Sequence, residues 1–179
     1  MRSLTTIRGW FFILGLALST AGTAEAAGYF WTTPFCEFGV VFPSEPRQYK
    51  LATQYGPSAP KVDMIRAELE TDGLYRAECA PAPPDHLDKL THEDYIGIME
   101  VMADSIGLGV RSFHVEELPT HIQATLTGLF EVEGERVTME ITTYMAPRSM
   151  FILTRGQLTG NWLSTDMRAF KESVQMLER

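Results

Sequence analysis

Between residues 121 and 155 the chain alternates apolar and polar side chains with a period of two, and that pattern commits it to a sheet. Ile122, Ala124, Leu126, Gly128, Phe130 and Val132 fall on one side of an extended segment, and His121, Gln123, Thr125, Thr127 and Glu131 on the other. Successive side chains of a strand point to opposite faces, so this segment reads as a strand with one face toward a core. Glu133-Gly134-Glu135 turns the chain, and Val137, Met139, Ile141, Thr143 and Met145 repeat the alternation. Ala146-Pro147-Arg148 then turns it into residues 149–155. Consecutive strands joined by such short turns make an antiparallel meander.

The remaining elements fit around that sheet. Cys36, Phe38, Val40 and Phe42 alternate with Glu37, Gly39 and Val41, which predicts a strand over 36–42. Residues 62–70 and 74–80 flank Thr71-Asp72-Gly73 and predict a hairpin, because Asp-Gly is a turn signal. The polar, proline-bearing segments Pro43–Lys61 and Ala80–Asp88 read as loops. Thr91 is placed to cap a helix with Glu93 and Asp94 in its first turn, where their charge suits the helix dipole. Tyr95, Ile98, Met99, Met102 and Ile106 follow at helical spacing, and Gly107 and Gly109 offer a stop. A second helix begins near Ser164 or Thr165 and turns Met167, Phe170, Val174 and Leu177 inward. The expectation is an α+β sandwich: a mostly antiparallel sheet of about six or seven strands with two amphipathic helices packed on it. Helices covering one face and helices covering both are equally compatible with these periodicities.

The N-terminus has the layout of an export signal. Arg2 and Arg8 precede an apolar stretch from Trp10 to Leu18, and small residues follow, ending in Ala24-Glu25-Ala26. A membrane-spanning helix needs about 20 apolar residues, and this stretch gives out at Ser19, Thr20, Gly22 and Thr23. Residues 1–26 are therefore read as a cleaved signal peptide and 27–179 as one domain, released into the periplasm of a Gram-negative bacterium with no stable membrane insertion. Cleavage removes a net charge of +1 from a chain of −8, leaving about −9. Such a charge disfavours nucleic acid and anionic lipid as partners. An oxidising compartment favours a bond between the two cysteines, Cys36 and Cys79. Closing that loop limits the unfolded chain by roughly 4 kcal/mol on the chain-entropy treatment.

The order of elements resembles the PsbP-like fold. That group includes the extrinsic oxygen-evolving subunit of photosystem II, a Ran-binding nuclear import factor and small exported bacterial proteins. The likeness is carried by Phe42-Pro43, the hairpin at Gly134, Trp162 and Phe170-x-x-Ser173. These are fold residues, and the cysteine pair and the long segment after Pro43 depart from the pattern. The resemblance implies a non-enzymatic binding or assembly protein.

No catalytic residues are assigned by motif. There is no Gly-x-Ser-x-Gly elbow, no Ser-x-x-Lys pair in a suitable context and no glycine-rich phosphate cradle. No cofactor is implied. His114, Glu116 and His121, with Glu117 nearby, are weak candidates for a metal, since imidazole and carboxylate both ligate zinc. His86 and His92, with Asp85, Asp88 and Glu93, form a second weak group whose acids serve better as helix N-terminal charge. Glu68 and Glu70, and Glu131 and Glu133, read as solvent-facing pairs. Tyr29-Phe30-Trp31 is too aromatic for a disordered tail. It either packs on the domain or inserts into a partner, since aromatics dominate interface hot spots. The expected function is that of a periplasmic accessory or binding protein whose partner is an envelope protein or a small ligand. A small hydrolase or metal-binding protein is the alternative.

Overall fold

The computed structural model describes residues 28–54, 61–71, 73–82, 91–158 and 164–178. Residues 1–26, Trp162, Asp85, His86 and Asp88 lie outside them. The predicted meander is the centre of the molecule: β7 (Ile122–Val132), β8 (Glu135–Met145) and β9 (Ser149–Leu158). Pairing runs from Ile122 opposite Met145 to Val132 opposite Glu135, and from Met145 opposite Met150 to Val137 opposite Leu158. The β7–β8 turn holds Glu133 at φ 52° and Gly134 at φ 85°. Left-handed conformations at both positions match the strand twist of a two-residue hairpin, and glycine adopts one without steric cost.

Around this meander the antiparallel sheet has the order β3-β4-β5-β9-β8-β7-β6, with β4 (Lys61–Glu70), β5 (Leu74–Pro81) and β6 (Gly109–Glu117). The segment after Pro43 is not all loop. Arg47–Gln54 forms β3, paired with β4 from Arg47 opposite Glu68 to Gln54 opposite Lys61. Its composition misleads because β3 is the outermost strand and leaves residues 47–50 exposed. Pro43 and Pro46 precede the ladder, and Pro57 and Pro60 fall between its two strands, so none removes a paired N–H. Ala80 and Pro81, also read as loop, complete β5 opposite Met150 and Ser149.

The two helices cover opposite faces. On one face, α1 (His92–Ile106) brings Tyr95, Met99 and Ala103 against Leu126, Met139, Ile141 and Ile152. Thr91 caps it as expected, its hydroxyl accepting from the Asp94 N–H while the Asp94 carboxylate accepts from the Thr91 N–H. Gly107, at φ 71°, ends it. The buried stripe is rotated from the predicted one: Ile98 and Ile106 are partly exposed, and Ala103 takes the inner position.

On the other face lies a second layer made of α2 (Thr165–Glu172) and a small sheet, β1 (Tyr29–Trp31), β2 (Phe38–Phe42) and β10 (Gln175–Met176), in the order β1-β2-β10. The last helix is shorter than its periodicity suggests. Met167 and Phe170 are buried, but Val174 follows the helix and Leu177 follows β10. Ser173 explains the change of direction. Its hydroxyl donates to the Phe170 carbonyl and accepts from the Val41 N–H at 2.9 Å, drawing the chain onto β2.

This second layer is tied down at three points. Aromatic rings interlock, with Phe42 4.9 Å and Tyr75 5.3 Å from Phe170 between centroids. Cys36 is bonded to Cys79, the sulfurs 2.07 Å apart. The bond joins the turn before β2 to β5 and so staples layer to layer. Glu37 is buried beside it and accepts from the Arg148 N–H at 2.8 Å and the Ser149 hydroxyl at 3.2 Å, clamping the layer to the β8–β9 turn. Trp31 is 1% exposed and packs on Phe151, whereas Phe30 is 43% exposed. Packing therefore accounts for Trp31, and the partner-insertion reading of that residue is lost. Among the described residues no helix is long and apolar enough to cross a membrane.

Candidate functional site

Where the second layer stops short of β7, it leaves a cavity of about 560 Å³. Its walls come from both layers: Phe38 of β2, Leu118 and His121 around the β6–β7 turn, Gln123 of β7, Tyr144 of β8 and Arg155 of β9. The helix contributes Arg168, Lys171 and Glu172, and the tail Val174 and Met176.

At the foot of α2 is a buried charge cluster. Glu140 and Arg155 are direct cross-strand neighbours on β8 and β9, and both are at least nine-tenths buried. The guanidinium donates through Nε at 3.0 Å and Nη2 at 2.9 Å to the two carboxylate oxygens, a bidentate pairing. Its Nη1 donates to the Met167 carbonyl at 2.8 Å, tying the cluster to α2. Lys171, one turn further along, places Nζ 2.8 Å from Glu140. Burial pushes the Glu140 carboxyl up, but hydrogen bonds from Arg155 and Lys171 outweigh it and hold the group below the ordinary carboxylate range. One carboxylate thus serves two cations, and among the described residues the cavity wall presents Arg155, Arg168 and Lys171 beside Glu172.

Above this cluster the wall is aromatic. The His121 ring stands edge-on to Phe38 at 5.3 Å and lies 6.0 Å from Tyr144. Burial pushes the His121 imidazole down, partly opposed by Glu116, so the ring is neutral at pH 7. Burial drives the Tyr144 hydroxyl well above its ordinary value, so it stays a proton donor. Among the described residues neither the Tyr144 hydroxyl nor the Gln123 amide has a hydrogen-bond partner, and both residues line the cavity. Two polar groups on this wall therefore have unused bonding capacity.

The residues singled out by sequence are largely dispersed. His114 and Glu116 are exposed on the edge strand β6, while His121 is withdrawn against Phe38 and Tyr144. Among the described residues no three His, Cys, Asp or Glu side chains are placed to hold a metal ion. His92 is exposed at the start of α1. Glu68 does not face open solvent as expected, since it pairs with Arg76 on the neighbouring strand. Only His121 carries over into the cavity.

Sequence reasoning missed Glu140, Tyr144, Arg155 and Lys171, though one signal was present. The turn at Ala146-Pro147-Arg148 places Met145 opposite Met150, and five residues further along each strand Glu140 meets Arg155. Opposite charges facing each other in the middle of two central strands mark a buried pair.

No family model matches this chain, and no curated protein matches it either. A solved structure from Bacteroides thetaiotaomicron aligns with 86% of the chain at 11% identity and a TM-score of 0.48, the chain spanning 50% of that protein's length. A Pseudomonas aeruginosa protein of unknown function, PA94, aligns with 81% of the chain and 89% of its own length, at 9% identity and a TM-score of 0.37.

Proposed function

We propose that this chain is an exported, non-catalytic binding protein and that the cavity beside α2 is its ligand site. The observation that carries the reading is the unspent Tyr144 hydroxyl and Gln123 amide on the wall of a cavity that sets Phe38, Leu118, Val174 and Met176 beside the charged side chains of Arg155, Arg168, Lys171 and Glu172. Ligand sites are concave, mostly apolar and furnished with a few polar groups that orient the guest, and about 560 Å³ falls in their usual range. Its resemblance to PsbP-like proteins points the same way, and the layout of residues 1–26 supports export to a periplasm. Incubating the mature chain with a protein-free small-molecule extract and weighing it under native conditions should reveal a bound mass. Gln123→Trp, which fills the cavity, should lose that mass while keeping its melting temperature. No adduct from any extract would contradict the reading. On the export side, mature protein from a periplasmic fraction should begin near Ala27, and retained Met1 in membrane-bound material would refute it.

One contact favours a hydrolase instead: the Thr120 hydroxyl lies 3.0 Å from His121 Nδ1. A hydroxyl beside a neutral imidazole is the start of a nucleophile–base pair. The pair is exposed, and among the described residues no carboxylate hydrogen-bonds His121 to complete the relay. Turnover on an ester panel that vanishes in Thr120→Ala would establish this second reading, and silence across the panel would remove it.

A further inference from the structure

We infer that the ligand is a small amphipathic carboxylate, its acid group held at the α2 wall by Arg168, Lys171 and the Tyr144 hydroxyl and its apolar body lying against Phe38, Leu118, Val174 and Met176. This rests on the cavity being a ligand site. The charge argument is local. Among the described residues, Arg155, Arg168 and Lys171 face the carboxylates of Glu140 and Glu172 at this wall, Arg155 and Lys171 both bonding to Glu140. A cavity wall that presents Arg168 and Lys171 suits a monoanion.

The rest of the molecule narrows the class. A mature chain of about −9 repels polyanions at long range, and Glu172 on the rim repels a second negative charge on the guest. Those terms disfavour a doubly charged phosphate ester and leave a carboxylate. A neutral apolar guest would leave the Tyr144 hydroxyl and Gln123 amide unpaired on burial, which is costly. A cationic guest would meet Arg155, Lys171 and Arg168. A purely polar anion such as acetate would leave the four apolar residues unused.

The probes are octanoate, octylamine, octanol and acetate, titrated calorimetrically into the mature protein at low and moderate salt. Octanoate should bind at least about tenfold tighter than the other three, more weakly as salt rises. Tyr144→Phe removes only a hydroxyl, and Arg168→Gln alters only the rim. Each should weaken octanoate by roughly tenfold, and octanol by less, without altering the melting temperature. Octanol or octylamine binding as tightly as octanoate would overturn the carboxylate assignment while leaving the cavity reading intact. So would octanoate binding that ignores both substitutions, with competition at Gln123→Trp locating the guest in the cavity. If none of the four binds while a native extract still supplies an adduct sensitive to Gln123→Trp, the carboxylate class falls and the site stands. If no adduct forms either, both fall.

Discussion

The two faces of the large sheet are built on different principles. Under α1 the contacts are Met99, Ala103, Leu126, Met139 and Ile141, a layer of aliphatic and thioether groups around one tyrosine. Under α2 and the small sheet the packing is aromatic, a disulfide crosses the layers, and Glu37, Glu140 and Arg155 are buried, whereas Glu78 is buried on the α1 face beside Arg66. Buried charges contribute less stability than well-packed hydrophobes of the same size, so the second face forgoes more stability than the first. It also holds the cavity. The proposed ligand site thus lies on the face that buries the Glu140–Arg155 pair.

The sharpest way to break this contrast is to strip the ion cluster. Glu140→Leu leaves the Arg155 guanidinium buried and should cost about 3–5 kcal/mol in urea denaturation. Adding Arg155→Met should recover most of that loss, because the two apolar chains then pack against each other. If the single substitution costs less than about 1 kcal/mol, the cluster is solvated and the contrast fails. Removing the staple comes next. Cys36→Ala with Cys79→Ala should cost about 2–4 kcal/mol, and native protein should show no titratable thiol. Two reactive thiols in freshly isolated material would contradict it.

Much of the fold is legible in the sequence, the contrast between its faces is not, and the exceptions have physical causes. The meander was readable because β7, β8 and β9 alternate over many residues, and α1 because its cap, its apolar stripe and its terminal glycine agree. β3 was hidden because an outermost strand buries little and so carries no alternation to read. The length of α2 was overestimated because the spacing of Val174 and Leu177 continues a helical rhythm that Ser173 interrupts through its bond to Val41. The cavity was illegible because its wall draws single residues from β2, β7, β8, β9 and α2, which only the layer packing brings together.

Acidity offers a milder probe of the same face. Unfolded, His121 takes its proton near the ordinary value of 6.5, whereas burial holds it lower in the fold. Below pH 6.5 the unfolded state therefore binds more protons, and stability declines. Glu140 adds a second decline. Its folded carboxyl lies below the ordinary 4.5, so its contribution is present above that pH and lost as pH falls through the folded value. His121→Gln should flatten the melting-temperature profile just below pH 6.5 while leaving the steeper loss below 4.5. An unchanged slope in that variant would place the sensitivity elsewhere. Smaller still is a control on the opposite face: Thr91→Ala removes the α1 cap and should cost about 1 kcal/mol, without changing the affinity of any cavity ligand.

The methionines make the central claim directly measurable, because they report on both faces at once. Met176 lines the cavity, while Met99, Met139 and Met145 lie under α1. With methyl-labelled methionine, the NMR spectrum of the protein should be recorded before and after adding a protein-free extract of the native cells. The account predicts that the Met176 methyl shifts and that Met99, Met139 and Met145 stay in place. Shifts confined to the α1 methionines, or a Met176 signal unmoved by an extract whose ligand demonstrably binds, would contradict it.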